Sequence, residues 1–273
     1  MRKKLYGGKR YASAMILACF MLSVSVTSLA AEGQAVQVTE NIADNPLSGP
    51  TGPGMEEIPQ RFVLPDEAKV LVIVEGTGGS KCLVSAWEKS YDGWDWELKF
   101  KTDGNLGYNG MSNHRVMGDK TTPIGVFQMN TPFGQDDPME GFPSNYIKVK
   151  ESHVWEDETN SLVDGSEKEG ERVGTQKYAG YYDYAIDAGF NKEAIPNQGS
   201  ALFLHCMPEG VEFSSGCVQI PKEKMAEVMK LYGTYGDGAC YIAQAPRGTF
   251  GLIYDTYGTN HGLSPEGDFS NGE

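Results

Sequence analysis

Two stretches decide how this chain is read: Gly199-Ser200-Ala201-Leu202-Phe203-Leu204-His205-Cys206 and Ser214-Ser215-Gly216-Cys217-Val218-Gln219-Ile220-Pro221. The first is an apolar run of strand length that ends in a histidine. The second places a cysteine after Ser-Gly, just ahead of a helical pattern. A strand end is rigid, so the imidazole of His205 has a fixed direction. A Ser-Gly pair lets the backbone turn sharply and expose amide hydrogens. Together these residues offer a thiol, a base to ionise it, and donors for a developing oxyanion. Spacing alone slightly favours the inert alternative, a buried thiol and a core histidine bonded to a carbonyl. His205 and Cys206 are adjacent on a strand and face opposite sides, so no metal site is expected between them.

Outward from this pair the texture is mainly β. One helix opens at Pro221, carries Met225, Val228, Met229 and Tyr232 on one face, and closes at Gly233. Val70 to Val74 reads as a buried strand, Cys82 to Trp87 as a second, and Tyr241 to Ala243 as the last. Trp94, Trp96, Leu98 and Phe100 alternate with polar residues, the period of a half-exposed strand, and with Trp87 the tryptophans are expected in the core rather than on a sugar platform. Asp103-Gly104 and Asn109-Gly110 supply turn chemistry. Gly118 to Pro123 is a loop leading into a short strand, Gly125 to Met129. Residues 134–180 are polar, with the charged stretch Asp164 to Arg172, and read as a long excursion, disordered or a lid. Tyr181 to Ile186 and Ala201 to Leu204 resume strand texture.

The amino terminus reads as an export address. Arg2, Lys3, Lys4, Lys9 and Arg10 precede the apolar run Ala12 to Val26, and Ser28-Leu29-Ala30 places small residues around a cut after Ala30. Ile16-Leu17-Ala18-Cys19 is similar to a lipoprotein cleavage site, but apolar sequence continues past Cys19; a membrane tether follows only if the signal stays uncleaved. Residues 31–65 form a Pro/Gly-rich tether, 66–246 a single domain, and 247–273 a loosely held tail. The whole chain has 273 residues, 40% of them hydrophobic and 11% aromatic, too apolar for a disordered protein. Its formal charge is −14, and losing five basic residues with the signal makes it more acidic still. Such a chain is a poor partner for nucleic acid or an anionic membrane surface. Export would allow Cys82, Cys206, Cys217 and Cys240 to pair, yet a cysteine kept free for chemistry leaves an odd one over, so buried thiols are the better expectation.

Several blocks, taken in order, resemble the L,D-transpeptidase catalytic domain, or YkuD domain. Gly107-Tyr108-Asn109-Gly110 followed by Gly118-Asp119-Lys120-Thr121-Thr122-Pro123-Ile124-Gly125-Val126-Phe127 is similar to the family segment ending in TPxGxF, and Phe133-Gly134 follows at the family's distance. The two stretches quoted first match the family's histidine strand and nucleophile segment. The likeness covers roughly residues 66–246 and is specific in combination. It departs at Ser215, where many members carry a second histidine, and at Gln219, where many carry arginine.

This resemblance implies a single β-sandwich or barrel-like domain with one helix after the nucleophile. It also implies an exported, wall-associated enzyme of peptidoglycan biosynthesis, with no cofactor, nucleotide or metal. Cys217 would be the nucleophile, His205 the general acid/base with its tautomer set by the Cys206 carbonyl, and the backbone amides of Ser215, Gly216 and Cys217 the oxyanion donors. The partners would be stem peptides, joined by 3→3 crosslinks. Tyr108, Asn109 and Arg115 are weaker substrate-binding candidates: turn geometry explains Asn109 and Asp119 equally well, and Arg115 with His114 reads more simply as a solvated loop. Cys206 reads as a buried filler. The alternatives are an L,D-carboxypeptidase using the same pair and a wall-binding module without turnover.

Overall fold

The structure, a computed structural model, describes residues 58–258 except residue 166. The expected signal, most of the expected tether and residues 259–273 lie outside the described residues. The run Val70 to Val74 belongs to β1 (Val70–Gly78), which leads by a tight turn into β2 (Lys81–Lys89) and on through a loop at residues 90–95 into β3 (Trp96–Asn105). Two short parallel strands follow, β4 (Met111–Ser112) and β5 (Thr122–Pro123), then β6 (Gly125–Gln128), β7 (Asn130–Gly134) and β8 (Ile147–Lys148). A separate three-stranded sheet holds β9 (His153–Glu156), β10 (Ser161–Asp164) and β11 (Gly170–Glu171). The chain returns through β12 (Ala185–Asp187), β13 (Phe203–Cys206) and β14 (Val218–Ile220), then the helix α1 (Lys222–Tyr235) and β15 (Cys240–Pro246).

The main sheet runs β6-β15-β1-β2-β3-β14-β13-β12-β7-β8. Its two halves join at the single pair Gln219–Asn105 between β14 and β3. Both halves wrap one core. Val70, Val72, Val74, Val84 and Phe100 face Leu204, Cys206, Val218 and Ile220 across it, with α1 supplying Met225, Val228, Met229 and Tyr232. The described residues form a mainly β sandwich with one α-helix, as the sequence suggests.

Strand β1 is buried on both faces, which is why its sequence is a continuous apolar run rather than an alternating one. Its other side, Leu71 and Ile73, packs with Trp87 and Tyr241 under Ile58, Phe62, Phe250 and Ile253. The packed body therefore extends beyond residues 66–246. Phe62, read as tether, meets the ring of Phe250, read as tail, edge to face at 6.2 Å.

Four further sequence readings change. The described part of residues 134–180 holds β8 to β11, and Trp155 is buried against Phe133 and Phe203, so of the two readings, disordered or a lid, the disordered one fails. Trp94 precedes β3 and is 83% exposed, whereas Trp87 is buried. Asp103-Gly104 lies inside β3: a Cβ on Gly104 would come within 2.7 Å of the Gln219 carbonyl, so this glycine marks a close strand approach, not a turn. Gly233 lies inside α1, where the backbone of residues 141–143 crosses it and a side chain would collide. The helix stops instead at Gly236, whose positive φ turns its N–H onto the Tyr232 carbonyl at 2.7 Å.

Candidate active site

Parallel strands β13 and β14 pair His205 with Gln219, so His205 shares a face with Gln219 and, two residues earlier, Cys217. Phe203 and Cys217 lie in a third apolar cluster with Phe133, Trp155 and Tyr182, while Cys206 points into the opposite core as the filler expected. His205 and Cys217 both line one cavity of about 430 Å³. Residues a dozen positions apart thus converge because a parallel crossover brings the Cys217 loop beside the end of the histidine strand.

The loop is held by a hydrogen-bond relay. The Gly107 N–H donates to Thr122 Oγ1 at 2.9 Å, and that hydroxyl donates to the Gly216 carbonyl at 2.9 Å. Ser214 Oγ accepts the Gly216 N–H at 3.0 Å and donates to the Cys217 carbonyl at 2.6 Å. The Gly216 amide is therefore committed to Ser214, which removes it from the expected set of oxyanion donors and leaves the amides of Ser215 and Cys217. Gly216 has φ 140°, a region that suits glycine.

The Cys217 Sγ lies 3.3 Å from the Phe203 N–H and 3.4 Å from the Ala201 carbonyl. Burial pushes its thiol up to about 12, with the carboxylate of Glu171 adding to the shift and the Phe203 N–H and Arg115 opposing it. His205 Nδ1 sits 2.8 Å from the Cys206 carbonyl, the partner expected for it. A carbonyl only accepts, so Nδ1 carries the proton and Nε2 is the basic nitrogen. Burial pulls the imidazole down to about 4, against the backbone bonds to Cys206 and Tyr181 that favour its protonated form. Thiol and imidazole are both neutral in the resting site.

The far wall comes from residues the sequence reading did not single out. Glu171 of β11 accepts the Tyr182 hydroxyl, and the Tyr182 ring stands edge-on to His205 at 5.1 Å. Burial raises the Glu171 carboxyl above its usual range. Tyr178 stacks on Tyr182 at 4.9 Å, and Phe213 closes the opposite rim. The tyrosine-dense run Tyr178 to Tyr184 was a usable signal; Glu171, inside a charged surface stretch, offered none.

The weaker candidates separate. Tyr108 is half exposed and touches the cavity only through Phe213, its ring 4.9 Å away edge to face. Asn109 is a loop staple, its Nδ2 donating to the Asp119 carbonyl at 2.7 Å. Asp119 accepts the N–H groups of Val116 and Thr121, each at 2.8 Å, so it too is a turn residue. Arg115 is not a solvated loop residue; its side chain is 5% exposed and lies behind Gly216, outside the cavity lining. His114 stays exposed. All four cysteines of the described residues are free and buried.

No protein-family model and no curated protein matches the chain. A solved structure of the Bdellovibrio bacteriovorus protein Bd1075 aligns at 16% sequence identity with a TM-score of 0.33. The alignment covers 64% of this chain and 47% of that one, so this chain spans about half the length of that protein. A likeness of that size carries no argument about function.

Proposed function

We propose that the protein is an exported cysteine L,D-transpeptidase that forms 3→3 crosslinks between peptidoglycan stem peptides. The observation that carries this reading is the shared wall: Cys217 and His205 line one cavity, on one face of two adjacent parallel strands. The motif resemblance supplies the substrate class.

Because burial keeps both groups neutral, the thiol loses its proton as it attacks rather than beforehand. Cys217 Sγ attacks the carbonyl of the L-centre of the third stem residue while His205 Nε2 takes the thiol proton. The amides of Ser215 and Cys217 receive the oxyanion. The C–N bond to the terminal D-residue breaks, the leaving amine takes the proton from His205, and a thioester remains. An amine from a second stem then attacks the thioester, passing its proton to His205. The C–S bond breaks, and the returned proton restores the thiol. Bond exchange of this kind needs no nucleotide.

Incubation with tetrapeptide-stem muropeptides tests the proposal. Crosslinked dimers are expected; tripeptides alone would replace transfer with L,D-carboxypeptidase hydrolysis. Unchanged processing by Cys217→Ala would remove the catalytic assignment and leave a wall-binding module. Intact mass after exposure to a carbapenem, whose acyl chemistry resembles the donor, should rise by one adduct located on Cys217.

A further inference from the structure

Arg115 is a buried cation with an unusual accounting of partners. Its guanidinium is wedged between two glycines: a Cβ on Gly216 would come within 3.1 Å of Nη1, and one on Gly199 within 3.0 Å of Nη2. Gly199 opens the stretch that runs to His205, and Gly216 immediately precedes Cys217. The Phe190 ring lies 5.7 Å from the guanidinium carbon. Nε and Nη1 are buried and have no hydrogen-bond partner among the described residues. The one acidic partner is Asp119 at 3.7 Å, and its carboxylate is already taken by Val116 N–H, Thr121 N–H and Thr121 Oγ1.

A buried charge with two orphaned donors is costly in the resting molecule, and such groups persist where a role requires them. The place of this one is informative. It adjoins the Cys217 loop at Gly216 and is absent from the residues that line the cavity, so it acts on the reacting atoms through that loop.

We propose that Arg115 is a positioning residue for Cys217: its buried guanidinium, seated against Gly216, stabilises the negative charge that passes through the Cys217 thiolate and seats the loop amides for the oxyanion. The inference rests on reading Cys217 as the nucleophile. It gives the site a second electrostatic support besides His205, at a position where the residue before Gly216 is Ser215 and brings no charge.

The other ionisable groups facing Cys217 are His205 on β13, Asp187 on β12, Glu171 on β11, and Lys177, Tyr178 and Tyr182 in the segment between β11 and β12. Glu171 and Asp187 disfavour the thiolate, and Arg115 is the cation that acts against them. The coupling is mutual, because a Cys217 thiolate also favours the charged form of Arg115.

The rate of Cys217 alkylation by iodoacetamide, followed from pH 6 to 10 by peptide mass in the full chain, tests this without peptidoglycan. Arg115→Gln should slow alkylation about tenfold at each pH, the change that follows when loss of a favourable charge raises the thiol by about one unit. Arg115→Lys should recover most of the rate, a rescue that a packing role would not produce. Asp119→Asn, which strips the counter-ion, should act in the opposite direction and speeds the reaction, keeping the test decisive if Arg115→Gln does not fold. Rates equal to the parent in folded Arg115→Gln, or an unchanged rate in Asp119→Asn, would overturn the inference. A protein that shows these shifts but processes no muropeptide would defeat the proposed function and leave the Arg115–Cys217 coupling standing.

Discussion

Thr122 offers a sharp test of how the Cys217 loop is held. The residue is fully buried, and its hydroxyl both accepts from Gly107 N–H and donates to the Gly216 carbonyl. Thr122→Val keeps the shape and removes the hydroxyl, leaving one buried donor and one buried acceptor without partners. Each costs about 1–3 kcal/mol. The extra apolar contact of valine offsets under about 1 kcal/mol, so the net loss is about 2–5 kcal/mol. A folded body of about 200 residues loses about 2–4 °C per kcal/mol, which places the fall in melting temperature at about 4–20 °C. Thr122→Ser is the control, since it keeps the hydroxyl and loses one methyl, worth about 1 kcal/mol. Scanning calorimetry of the three proteins measures the difference. Cys217 alkylation should also become less dependent on Ser214 in the valine variant, because Ser214 acts on the same loop through Gly216 N–H and the Cys217 carbonyl. A valine variant that melts within a degree of the serine variant would refute the relay.

Stability should carry two opposed pH slopes. Burial raises Asp187 to about 7 despite donors from Gly189 and Asn130, so the folded chain keeps a proton that the unfolded chain releases near pH 4. Stability from this group is full below pH 4 and falls by up to about 1.4 kcal/mol per unit as pH rises to about 7. His205, lowered to about 4, acts in reverse: stability falls as pH drops from about 6.5 to 4. The slopes largely cancel in the parent. Asp187→Asn should leave stability rising with pH up to about 6.5, His205→Asn should leave it falling toward pH 7, and parallel urea profiles in all three would sink the account. Phe250→Ala should lose about 3–5 kcal/mol by urea unfolding, because the ring covers the outer face of the sheet, whereas exposed Trp94→Ala should change stability by under about 0.5 kcal/mol; equal effects would show the chain ends are not part of the packed body. Gly104→Ala should part β3 from β14 and lower the melting temperature while leaving far-UV strand content; an unchanged melt would remove the close-approach reading.

Much of this architecture was legible because local pattern and burial agree. The run Val70 to Val74 is apolar on consecutive positions since β1 is covered on both sides, and the spacing of Met225, Val228, Met229 and Tyr232 matches the one face α1 buries. The His205–Cys206 alternation also told correctly which neighbour faces the core. Failures came where a residue type has two physical uses. Gly104 reads locally as a turn residue and Gly233 as a helix stop, but both make room for a crossing backbone, a property of distant segments that no local window contains. Residues 134–180 looked loop-like because β8 to β11 are short and the buried apolar residues in or beside them, Val149, Trp155 and Val173, are scattered among charges. Arg115 was misjudged for a related reason. An arginine in a Gly/Asn-rich loop is usually solvated, and only the fold shows it inserted behind Gly216.

The wall formed by β9 to β11 is built on a different plan from the strands that carry Cys217 and His205. Trp155 anchors it to Phe133 and Phe203, in the apolar cluster that also holds Cys217, while Glu167, Lys168 and Glu169 are exposed just ahead of the Glu171 that lines the cavity. A change of charge in that exposed run can therefore reach the cavity rim through Glu171 without disturbing β13 and β14, which hold the sulfur and the imidazole.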